Sequence, residues 1–130
     1  MDCRLLPDTD GKEFENWLRE RIIDDRVTIE IIESSPPSGV APLANKFYET
    51  IIRVVEKNVP GASVFPLQMP GATDGRYFRQ RGYAAYGFGP MILEKEDLNR
   101  AHGIDERISI ENIMLGIQMT YDIIRELCVN

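Results

Sequence analysis

The run Ser34-Ser35-Pro36-Pro37-Ser38-Gly39 constrains this chain more than any other feature, because two adjacent prolines and a following glycine forbid a helix or a laddered strand across it. Whatever precedes and follows must fold as separate runs. Upstream, Cys3 and Leu5 face one way and Arg4 the other, the period of a half-buried strand over residues 1–6. Asp10 with Glu13 makes a capping box, and Phe14, Trp17, Leu18 and Ile22 then repeat at helical spacing. Val27, Ile29 and Ile31 alternate with polar neighbours, which predicts a second strand. Residues 1–36 are therefore expected to be a strand-helix-strand unit.

Downstream, Leu43, Phe47, Ile51 and Val55 step by four and predict a helix from about Pro42 to Lys57, stopped by Asn58-Val59-Pro60-Gly61. Residues 64–67 and 83–88 read as short strands, the first at an edge because of Pro66. A short helix should start at Thr73 or Asp74 and end at Gly82. Ser109 is placed to cap a last helix, with Ile108 and Ile113 as a hydrophobic staple and Ile113, Ile117, Tyr121, Ile124 and Cys128 as its buried stripe. The rhythm of residues 37–130 is that of an α/β layer domain.

Composition narrows the function. With 21 acidic against 15 basic residues the net charge is -6, which disfavours nucleic acid as a partner. No stretch reaches the roughly 20 apolar residues of a membrane helix, so a soluble, cytoplasmic protein is the default expectation. Cys3 and Cys128 make neither a CxxC pair nor a disulfide framework.

The loop of about 18 residues before the last helix is longer than compact domains tolerate without a task, and it holds the only histidine, His102. An imidazole beside Gly103 could reach a metal, yet the segment also reads as a solvated surface loop with Asp105, Glu106 and Arg107. The turn Gly71-Ala72-Thr73-Asp74-Gly75-Arg76 offers backbone donors, a hydroxyl and a guanidinium to an anion or carbonyl, or is an ordinary capped turn.

Three segments in order, Gly71-Ala72-Thr73-Asp74-Gly75-Arg76-Tyr77-Phe78, Tyr86-Gly87-Phe88-Gly89-Pro90 and His102-Gly103-Ile104-Asp105-Glu106-Arg107-Ile108, closely resemble the end of the dinuclear zinc amidohydrolases and exopeptidases. That family includes aminoacylase, acetylornithine deacetylase, succinyl-diaminopimelate desuccinylase, glutamate carboxypeptidase and the Gly-Xaa carboxypeptidases. The resemblance implies an α/β fold in which residues 1–36 are the last strand-helix-strand of a ferredoxin-like lid or dimerisation domain and 37–130 the C-terminal part of the catalytic domain. It implies that His102 is a zinc ligand, that Arg4, Thr73 and Arg76 bind substrate, and that Glu106 and Arg107 orient the ligand. The expected substrate is a small peptide or an N-acyl amino acid.

The family's His-x-Asp and Glu-Glu motifs are missing from this sequence, so no catalytic base lies in it. The expectation is an inactive fragment of a two-zinc hydrolase, self-associating as a homo-oligomer through uncovered sheet edges. A noncatalytic α/β dimerisation module, or a small domain binding an amino acid through Arg4 and the Thr73 turn, is the alternative.

Overall fold

The computed structural model describes residues 1–69 and 71–129, which carry five helices: α1 (Gly11–Arg21), α2 (Lys46–Asn58), α3 (Gly75–Arg79), α4 (Lys95–Leu98) and α5 (Ile110–Cys128). They fall into two compact units, one of Met1–Pro42 with Gln68–Gly87, the other of Leu43–Leu67 with Phe88–Asn130. Among the described residues no helix is long and apolar enough to cross a membrane.

In the first unit, Asp10 caps α1 as expected, its carboxylate accepting from the backbone N–H groups of Lys12 and Glu13. The Phe14 and Trp17 rings stack with centroids 5.7 Å apart, and the Arg21 guanidinium lies 4.2 Å above the indole. Glu15 is the buried residue of the helix and accepts from Lys12 and Arg19, and Arg19 also donates to the Ile29 carbonyl. The Phe14, Trp17, Leu18, Ile22 stripe is consequently only half covered. The proline-rich run is held by α3 and its C-terminal turn: Arg76 donates to Ser35 Oγ at 2.9 Å, Arg79 to Ser38 Oγ at 3.2 Å and Gln80 to the Pro36 carbonyl at 3.2 Å. Gly82, at φ 84, closes the turn after α3 in a conformation that glycine adopts without strain.

The second unit is built on α2 against α5. Asn45 sets the start of α2, accepting from the N–H groups of Phe47 and Tyr48, so the helix begins at Lys46 instead of the expected Pro42. Asn45→Ala should cost about 1 kcal/mol of stability, read as a lower urea midpoint with an unchanged slope. Ile51, Val54, Val55, Met119 and Ile123 are the buried hydrophobic residues. Arg53 reaches Glu126 across the interface at 3.1 Å.

The expected stripe of α5 is corrected by this packing. Met119, Asp122 and Ile123 are buried, whereas Ile113, Ile117, Tyr121, Ile124 and Cys128 are exposed. These sets lie about half a turn apart on the helix. Because α5 is apolar on both faces, periodicity selected the face that α2 does not cover. The loop before α5 also gains a one-turn helix, α4, that the sequence reading left unstructured.

The four segments expected to be strands, 1–6, 27–33, 64–67 and 83–88, form no ladder among the described residues. A strand exists only as one side of a hydrogen-bonded pair, and none of these segments finds a partner here.

Within the second unit Asp122 is 2% exposed and joins the two helices, accepting from Lys57 Nζ at 2.8 Å and Asn58 Nδ2 at 3.2 Å. The Lys57 ammonium, with the Asn58 and Gln118 side chains, holds its carboxyl below the ordinary 3.8, at about 2, against the upward push of burial. A depressed folded-state value means the contribution is complete above pH 3.8 and is lost as pH falls through 2. Acid titration of unfolding should therefore show a stability loss across that window that Asp122→Asn removes; an unchanged acid limb in the variant would show that another carboxylate governs it.

Candidate functional site

His102 and its neighbours occupy the second unit. The turns after α4 put His102 at φ 61 and Asp105 at φ 60, left-handed values that histidine and aspartate adopt more readily than most residues. Between them, a Cβ on Gly103 would stand 3.1 Å from the Arg100 carbonyl oxygen, so this turn favours glycine. The Glu106 carboxylate accepts from the His102 backbone N–H at 3.1 Å. It thus fixes the loop rather than the imidazole. Arg107 Nε donates to Asp97 at 2.9 Å, which ties the loop back to α4 and leaves His102 exposed.

Two hydrogen bonds from Asn112 anchor the segment that enters this loop: its Oδ1 accepts from the Ile92 N–H and its Nδ2 donates to the Ile92 carbonyl, both at 2.8 Å. A side-chain amide here replaces the paired bonds of a ladder. A concave patch borders the loop, walled by Met91, Leu93, Leu98, Ala101 and Ile108.

Arg4, Thr73 and Arg76 belong to the first unit. Arg4 pairs with Asp2 at 2.7 Å, and both side chains are exposed, an ion pair of small value in water. Thr73 accepts through its carbonyl from the Arg76 N–H as α3 begins. Arg76 itself donates to Ser35 Oγ and, at 2.8 Å, to the Tyr77 hydroxyl. No carboxylate pairs with it among the described residues.

The residues do not by themselves fit a zinc centre. Among the described residues no group of three or more His, Cys, Asp or Glu is placed to hold a metal. A structural zinc takes four ligands and a catalytic one three with an open position, and His102 is a single donor. Sequence reading singled out His102 as the lone imidazole of the long loop but passed over Asp97, Asn112 and Asp122. Their one signal is polarity within otherwise apolar runs, which does not reveal a partner.

The sequence profile described as Peptidase family M20/M25/M40 matches residues 7–126. The chain is 33% identical over 126 residues to N-fatty-acyl-amino acid synthase/hydrolase PM20D1 of Xenopus tropicalis, covering 96% of this chain and 25% of that protein. It is 30% identical over 126 residues to probable carboxypeptidase S-like 2 of Dictyostelium discoideum, covering 96% and 24%. To aminoacylase-1 of Homo sapiens it is 31% identical over 123 residues, covering 92% and 29%. The chain spans about a quarter of the length of the curated relatives it matches. No solved structure matches it.

Proposed function

This chain belongs to Peptidase family M20/M25/M40, and from that premise we propose that it is part of a zinc-dependent amide hydrolase acting on N-acyl amino acids or peptides. The observation that carries this reading is the family match running unbroken from residue 7 to residue 126, with the three motif segments in order inside it. The names of the matched relatives support amide hydrolysis, two of them through an acylated amino acid and one through a carboxypeptidase.

Membership carries the peptidase-like α/β class. In this reading residues 1–36 complete a lid and dimerisation domain, and 37–130 supply the C-terminal part of the catalytic domain. The apolar runs at 1–6, 27–33, 64–67 and 83–88 become strands once laid beside partner strands. The same unpaired edges favour a homo-oligomer.

His102 would provide one metal ligand, with Glu106 and Arg107 holding its loop through the His102 N–H and Asp97. Because the sequence contains one histidine, the remaining ligands and the base must come from polypeptide that it does not include. What this chain's own residues supply is substrate recognition. Arg76, lacking a carboxylate partner, and Arg4, whose exposed pair with Asp2 is easily exchanged, suit the free carboxylate of an amino-acid product, and the Thr73 turn suits its amide. The chain alone is then inactive.

Complementation tests this. The 130-residue chain would be combined with the Xenopus relative truncated before the matched quarter, and amino acid release from N-acyl amino acids would be followed with and without zinc. Zinc-dependent hydrolysis should need both polypeptides. Hydrolysis by this chain alone, or tight zinc binding through its own side chains, would overturn the reading.

A further inference from the structure

We propose that the concave patch beside the His102 loop receives the acyl chain of an N-acyl amino acid, an inference that rests on the amide-hydrolase reading above. Met91, Leu93, Leu98, Ala101 and Ile108 make its wall, and Asp97, Glu106 and Arg107 stand around them. It lies entirely within the second unit and is the more enclosed of the two grooves there.

Its place along the chain points to the occupant. Ala101 directly precedes His102, and Glu106 of the same groove accepts the His102 N–H at 3.1 Å. A scissile amide held next to His102 would therefore have apolar wall on one side of it. The lining chemistry agrees with an amphiphile. Leu98 is 56% exposed and Met91 and Ile108 are each 41% exposed, apolar area left open in a concavity. The charges beside them are already engaged, Arg107 with Asp97 at 2.9 Å and Glu106 with the loop backbone, so the groove offers little to a polar acyl substituent. An unbranched hydrocarbon gains about four-fold in affinity for each methylene it buries, which makes chain length the selected property. The fatty-acyl amino acid named for the Xenopus relative is such a molecule.

The second groove, along α5, meets the first at Met91 and Ile108 but is wider and runs past Ile113, Ile117 and Tyr121. It serves as the internal control for nonspecific adsorption of a greasy ligand.

The test is a methyl NMR titration of this chain with N-dodecanoylglycine below its micelle concentration, with N-acetylglycine as the short-chain comparison and no metal added. The long chain should shift the methyl signals of Leu93, Leu98 and Ala101, and the acetyl compound should leave them in place. Ala101→Trp, at an exposed turn position, should fill the groove and weaken binding at least ten-fold. Leu98→Gln should weaken it several-fold, and unchanged circular dichroism would establish that both variants fold. Shifts confined to Ile113, Ile117 and Ile124, or full affinity in Ala101→Trp, would overturn the proposal. Absence of binding while the complemented enzyme still cleaves N-acyl amino acids would remove the acyl groove and leave the hydrolase reading standing. Groove binding with failed complementation would do the reverse.

Discussion

Ile51→Ala is expected to destabilise the second unit by about 2–5 kcal/mol, the cost of removing most of a buried branched side chain and leaving a cavity. The residue is 3% exposed and belongs to a set of five buried hydrophobic side chains, Ile51, Val54, Val55, Met119 and Ile123. A domain's net stability is typically about 5–15 kcal/mol, so such a loss consumes a large share of it. Circular dichroism should report a much lower Tm and a lower urea midpoint. Ile113→Ala provides the contrast, since Ile113 is 44% exposed on the other face of α5 and its truncation should change stability by about 0.5 kcal/mol or less. Equal losses at the two positions would contradict the assignment of α5's covered face.

His102→Ala, introduced into the complemented enzyme, is expected to lower kcat/KM by more than about 100-fold, because loss of residues that merely orient metal ligands already costs about 10–100-fold. Glu106→Gln should fall within that smaller range, since its carboxylate grips the His102 backbone and not the ring. Alanine at φ 61 also carries backbone strain, so His102→Asn is the better-controlled variant: asparagine accepts the left-handed conformation and replaces only the imidazole. Zinc retention under a chelator, measured beside kcat/KM, separates ligand loss from loop damage. If His102→Asn kept both the metal and full activity, the imidazole would have no ligand role.

Local signals reported helix starts well. Asp10 and Ser109 cap α1 and α5 where spacing said they would, because an N-cap is a contact between a side chain and backbone two or three residues away. Asn45 shows the limit: its capping power outweighed Leu43, which the four-residue step had drawn into α2 and which is 43% exposed. Strands were legible as apolar alternation but not as ladders, since alternation describes one strand and pairing requires two. On α5 both faces satisfy the helical period, and only the arrival of α2 decided that Met119 and Ile123 would be covered. At the site, a lone histidine in a long loop was visible in the residue string. The left-handed turn that displays it, the Glu106 clasp and the Asp97–Arg107 tie were not, because each depends on where the loop folds back.

A helix greasy on two opposite sides behaves in a cell as a recruitment signal for quality control. With Ile113, Ile117, Tyr121 and Ile124 facing water, a newly made copy of this chain presents the surface that chaperones bind and that marks a polypeptide for proteolysis. Its abundance then tracks the supply of whatever shields that side of α5, and its lifetime becomes a readout of assembly.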